Sequence, residues 1–145
     1  MSQTVADILS QAVFYTDDAD YVVIRMPARA IVAAASVLAE VGEPFSTLIV
    51  DKDEVTLILD VEAYEEYKHR LRDSQADIGL WRLITLDMEL ESDLVGLMAV
   101  ISQALANAGV SVLPIAAYSR DHILVPAQKI DTALTALKAL KTANQ

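Results

Sequence analysis

The sequence predicts an α+β fold of two similar halves, each a strand–helix–strand–strand–helix run with its helices on one face of an antiparallel sheet. Three observations predict it. Short β-rich runs alternate with amphipathic stretches, the order that starts at Tyr21 starts again at Trp81, and the only polar stretch suited to a linker, Asp73 to Gly79, lies between the two. A split βαβ arrangement in each half is the economical way to bury one face of every element.

The elements follow in order. Val5, Ile8, Leu9 and Ala12 stand at helical spacing behind Thr4, with Asp7 in a capping-box position, which predicts a short first helix. Asp17, Asp18 and Asp20 make a polar turn, and Tyr21 to Met26 is β-branched enough for a strand that Pro27 ends. From Ala28 to Val41, Ile31, Ala34, Ala35, Leu38 and Val41 fall on one helical face, with Gly42 placed to close the helix. Phe45 to Val50 and Val55 to Leu59 read as strands joined by a turn at Asp51 to Glu54. Val61, Tyr64, Lys68 and Leu71 continue as a more polar helix to about Arg72.

In the second half, Ile84, Leu86, Met88 and Leu90 alternate with Thr85, Asp87 and Glu89, the pattern of a half-buried strand from Trp81 to Leu90. Leu94, Leu97, Met98, Ile101, Leu105 and Ala108 form a helical stripe behind the N-cap candidates Ser92 and Asp93, closed by Asn107 and Gly109. Val110 to Tyr118 and His122 to Val125 are two further strands. Ile130, Ala133, Leu134, Leu137 and Leu140 complete a last amphipathic helix. The chain thus divides into an N-terminal helix and turn (1–19), a first repeat (20–79) and a second repeat (80–145). Each half lacks the closing strand of a full ferredoxin-like unit, so the halves are expected to lend strands to each other or to a second chain.

Composition narrows the function classes. Hydrophobic residues make up 54% of the 145 and aromatics only 6%, so the core is aliphatic and disorder is excluded. The absence of cysteine removes disulfides, thiolate metal sites and cysteine nucleophiles, and fits a reducing, cytoplasmic setting. No basic, apolar leader precedes Ala12, and no run reaches the roughly 18 apolar residues of a membrane-spanning helix. With 21 acidic against 11 scattered basic residues, the net charge of −10 argues against nucleic acid or an anionic membrane as partner and permits a cationic or zwitterionic one. No Gly-rich phosphate loop, HExxH or GxSxG pattern is present, and only two histidines, so no enzymatic activity, cofactor or metal is expected.

One stretch carries a more specific signal. Leu94-Val95-Gly96-Leu97-Met98-Ala99 is followed by Ala108-Gly109-Val110-Ser111-Val112, and then by Ala116-Ala117-Tyr118-Ser119-Arg120-Asp121-His122-Ile123-Leu124-Val125-Pro126. Here the sequence resembles the ACT domain superfamily, and within it the small bacterial tandem-ACT proteins related to CASTOR-type arginine sensors. Pro44-Phe45-Ser46-Thr47 and Glu54-Val55-Thr56-Leu57-Ile58 resemble the matching first-repeat elements. The resemblance implies two βαββαβ repeats binding an amino acid or similar small ligand at a junction between them, in a chain that commonly forms a homodimer. It also implies that an acidic residue at Asp121 faces a basic group of the ligand. Those sensors favour Ser-Thr where Ala116-Ala117 stand, so arginine specificity does not carry over.

The residues themselves suggest a pocket at the turn from Glu91 to Gly96. Free backbone N–H groups of Ser92, Asp93, Leu94 and Val95 and the positive end of the helix dipole suit a carboxylate there, and Gly96 permits a close approach, although it serves tight packing equally well. Asp121 suits an ammonium or guanidinium group, or else closes its own turn. Tyr118, His122 and Ile123 flank it, with His122 also readable as a structural histidine. Phe45, Ser46 and Thr47 are candidates for the other side of the junction or plain strand residues. The expected role is a regulatory or sensory small-ligand-binding protein read by a partner protein; the alternative is a ligand-free dimerisation module.

Overall fold

The structure is a computed structural model that describes residues 2–42 and 45–145. Pro44, with which the first-half motif opens, lies outside them. The chain forms two compact units, one from Ala19–Trp81 and one from the residues up to Asp18 together with Arg82–Gln145. The unit Ala19–Trp81 runs βαββαβ in chain order, and the other assembles the same strand and helix arrangement with its closing strand taken from the N-terminal segment. Helix α1 (Val5–Ser10) and strand β1 (Phe14–Tyr15) open the chain. Thr4 caps α1, its hydroxyl accepting the Asp7 N–H at 3.1 Å.

The unit from Ala19 to Trp81 contains β2 (Tyr21–Pro27), α2 (Ile31–Val41), β3 (Thr47–Val50), β4 (Glu54–Asp60), α3 (Val61–Tyr67) and β5 (Gln75–Ala76). The sheet order is β5-β2-β4-β3, with every pair antiparallel. Val22, Ile24 and Met26 of β2 and Val55, Leu57 and Leu59 of β4 bury one sheet face against α2 and α3. The β3–β4 turn is held by Asp51, whose carboxylate accepts the N–H groups of Asp53 and Glu54 at 2.8 and 2.9 Å; both bonds hold its pKa below the usual value. Asp60 caps α3 by accepting the Ala63 N–H at 2.7 Å.

The other unit adds β6 (Trp81–Leu86), α4 (Leu97–Asn107), β7 (Leu113–Ala116), β8 (Asp121–Pro126) and α5 (Ile130–Ala143) to α1 and β1, with sheet order β1-β6-β8-β7. Its core joins Ile8 and Leu9 of α1 to Leu97, Ile101 and Leu105 of α4, Ile123 and Val125 of β8, and Ala133 and Leu137 of α5. Helix α4 ends in a Schellman closure: the Val110 N–H donates to Leu105 C=O at 2.9 Å and the Gly109 N–H to Ala106 C=O at 3.0 Å, with Gly109 at φ 75°.

Several sequence expectations are corrected. The halves do not exchange closing strands. In the first unit the fourth strand is β5, from the segment read as a linker: Asp73 turns the chain at φ 59°, and Gln75 and Ala76 pair with Arg25 and Ile24. In the second it is β1, from the N-terminal segment, with Phe14 opposite Leu86 and Tyr15 opposite Thr85. Two-residue strands held by backbone bonds carry no periodic side-chain signal. In α2 the buried positions are Ala34 and Val37, with Leu38 and Val41 packed against the core; of the predicted face Ala34, Leu38 and Val41 hold, while Ile31 is 41% exposed and Val37 takes its place. Strand β6 stops at Leu86 and buries Leu83 to Leu86 on both faces, leaving Met88 and Leu90 in the following loop. Ser92 and Asp93 do not cap α4; Gly96 does. Among the described residues no helix is long and apolar enough to cross a membrane.

Candidate functional site

The ten residues between β6 and α4 form a loop whose path is set by its last glycine. Leu94 N–H closes a turn onto Glu91 C=O at 3.2 Å, and the chain enters the helix only after Gly96, at φ 94° and ψ 0°. That conformation costs an L-residue about 1–2 kcal/mol, and nothing lies within 4 Å of where a Cβ would stand, so backbone conformation alone calls for glycine here. No side chain caps the helix, which leaves the first-turn amides of α4 and the positive end of its dipole open.

Across from this turn, β7 and β8 make a tight hairpin. Ala116 pairs with Asp121, the Ala117 N–H donates to Arg120 C=O at 2.9 Å, and Tyr118 and Ser119 form the tip. The Leu90 N–H donates to Ser119 C=O at 2.7 Å and ties the loop to that tip. Between them lies an open cleft of about 410 Å³, every lining residue of which belongs to the unit containing Arg82–Gln145.

The cleft brings together Ser92, Leu94, Gly96, Tyr118 and Asp121 of the residues singled out in the sequence. Asp93 and Val95 are exposed beside the turn and do not line it. Ile123 is buried in the core beneath, next to Asp121 and Met98. Phe45, Ser46 and Thr47 belong to the other unit, where Phe45 meets Tyr21 edge to face at 5.9 Å, and they line no part of it. Sequence reasoning passed over Arg120 and Ser119 as turn residues; the two-residue hairpin tip that aims them was the signal available.

The charged groups divide by commitment. The Glu91 carboxylate accepts the Gln3 N–H at 3.2 Å, and Arg120 Nε lies 3.5 Å from Asp87. Among the described residues the Asp121 carboxylate accepts no hydrogen bond and forms no ion pair, and the hairpin closes through the backbone, not through this side chain. Asp121 is thus the open anionic group of the cleft, while the α4 terminus is its open donor surface. Among the described residues no three His, Cys, Asp or Glu side chains converge as a metal ion would need.

His122, the next residue on β8, lies outside the cleft lining and has its Nδ1 2.8 Å from the hydroxyl of buried Thr85. Burial lowers its pKa from 6.5, the Asp121 carboxylate opposes that shift, and Arg120 adds to it. The unfolded chain therefore binds more protons than the folded one as pH falls below 6.5. The stability His122 contributes is complete above that pH and is lost as pH falls through the folded value. The melting temperature, measured from pH 7.5 downward, is expected to fall more steeply in the wild type than in His122→Asn.

The fold and this cleft define an α+β module with a ligand-sized recess at a helix start, and residues 79–139 match the family model of the ACT domain. A Vibrio cholerae protein of unknown function, a possible transport protein, is 29% identical, with 92% of each chain covered and a TM-score of 0.71. A protein from Agrobacterium tumefaciens is 19% identical over 90% of this chain and 89% of its own, with a TM-score of 0.70. The regulatory subunit of aspartate kinase from Thermus thermophilus, in its ligand-free form, shares the fold at 14% identity, over 90% of this chain and 96% of that one, with a TM-score of 0.71.

Proposed function

We propose that this protein is a regulatory ligand-binding module whose cleft takes a small zwitterion of the α-amino acid class, and that it carries out no catalysis. The observation that carries this reading is the Asp121 carboxylate, without a hydrogen bond or ion pair among the described residues, in the same cleft as the uncapped start of α4. A ligand carboxylate would accept from the first-turn amides of α4, and its ammonium group would donate to Asp121 in a charge-assisted bond. The ACT domain match supports the reading, as does a fold shared with a subunit named as regulatory. The likeness to CASTOR-type sensors points the same way for the ligand class. Ala116 and Ala117 line the cleft without hydroxyls, which leaves its wall at that point suited to an apolar group.

The natural readout is a change in how two copies of the chain associate. Strand β3 is an outer strand of its sheet, with Ile49 and Val50 44% and 48% exposed, whereas the outer strand β7 carries Pro114. Exposed apolar edges favour pairing and proline blocks it, so β3 also supports a second reading, a dimerisation module without a ligand. A thermal-shift screen of the pure protein against the twenty amino acids and common nucleotides separates the two. A shift specific to one compound class supports the ligand reading; a flat response to every compound, with a dimer in sedimentation, favours the second.

A further inference from the structure

The cleft rim at Leu90 and Glu91 belongs to a loop without regular structure, so something else must hold it in place. The hairpin holds one side through Ser119 C=O. The other side is held by a residue 88 positions earlier in the chain. Gln3 Oε1 accepts the Glu91 N–H at 2.8 Å, Gln3 Nε2 donates to Glu89 C=O at 3.0 Å, and the Gln3 backbone N–H donates to the Glu91 carboxylate at 3.2 Å. We infer that Gln3 is a strap that positions the cleft rim and links occupancy of the cleft to the order of the segment ahead of α1; its link to occupancy rests on the ligand reading above.

Three features make the strap more than a surface contact. Its anchor is firm, because Gln3 directly precedes Thr4, the cap of a helix whose Ile8 and Leu9 are buried in the core. Its chemistry is matched to the rim, since the carboxamide accepts the Glu91 N–H on its oxygen and donates to Glu89 C=O from its nitrogen, a pair of roles that neither a carboxylate nor an ammonium group fills. Its position is consequential: the strapped carboxylate of Glu91 is drawn toward Gln3, which leaves Asp121 as the open anion of the cleft. Fixing the rim in advance removes an ordering cost from binding, and by reciprocity a bound ligand steadies the strap.

Hydrogen exchange on the full chain without ligand tests the strap directly. In Gln3→Ala the Glu91 amide is expected to exchange about tenfold faster, the scale set by losing two backbone-directed hydrogen bonds. Gln3→Glu, which keeps the acceptor but loses the donor and sets a second carboxylate against Glu91, is expected to show at least the same acceleration. Amides of Ala19–Trp81 serve as the internal reference in both variants. Unchanged exchange at Glu91 in both variants overturns the strap. With any amino acid that stabilises the wild type, Gln3→Ala is expected to raise Kd about tenfold, and the ligand to slow exchange around Thr4 to Ile8; an unchanged Kd overturns the coupling. If no amino acid binds the wild type, the ligand reading and the coupling fail together, and exchange at Glu91 alone decides the strap.

Discussion

Replacing Asp121 by alanine is expected to remove most of the thermal stabilisation that a bound amino acid confers on the wild type. A ligand at a hundredfold excess over its Kd stabilises the native state by about 2.7 kcal/mol. A hydrogen bond to a charged group contributes roughly 1.5–3 kcal/mol, and the larger value corresponds to a Kd about a hundredfold weaker. At the same ligand concentration the variant would then gain only about 0.4 kcal/mol, by the same saturation relation. Among the described residues the Asp121 carboxylate accepts no hydrogen bond and forms no ion pair, so the ligand-free variant should melt close to the wild type. A variant that binds as tightly as the wild type would show that the ammonium group is recognised elsewhere.

The largest effect on stability is expected at Leu105. Its side chain is fully buried among Leu97, Ile101, Ala133 and Leu137, and its carbonyl accepts the Val110 N–H that closes α4. Truncation to alanine removes three methyl or methylene equivalents and leaves a cavity between α4 and α5, at a cost of about 2–5 kcal/mol. For a chain of this size, 3 kcal/mol lowers the melting temperature by roughly 10 °C. Val32→Ala, at a position 74% exposed, should change stability by no more than about 0.5 kcal/mol. Denaturant titration of the two variants checks the contrast. A loss at Leu105 no greater than that at Val32 would mean that α4 is not packed as described.

The sequence by itself determined the order of the main elements and the α+β class, because long amphipathic helices and β-branched strands write their burial into a period of 3.6 or 2. The face of α5, the Schellman glycine at position 109 and the cap at Thr4 were all legible for that reason. It also marked the two halves of the cleft, through Gly96 and Asp121, since glycine at a helix start and a carboxylate at a strand start are local features.

What only the tertiary structure decided is how segments distant in the chain meet. The closing strands β1 and β5 pair through backbone groups, which no residue type announces. The start of α4 moved from Ser92 to Gly96 because the loop first turns back on Glu91, and a cap candidate in sequence cannot show whether its chain already runs as a helix. The removal of His122 from the cleft follows from strand alternation once Thr85 is placed beside it. The Gln3 strap lies furthest from the sequence, for it depends on a single amide meeting a loop 88 positions away, a contact set by folding rather than by any local pattern.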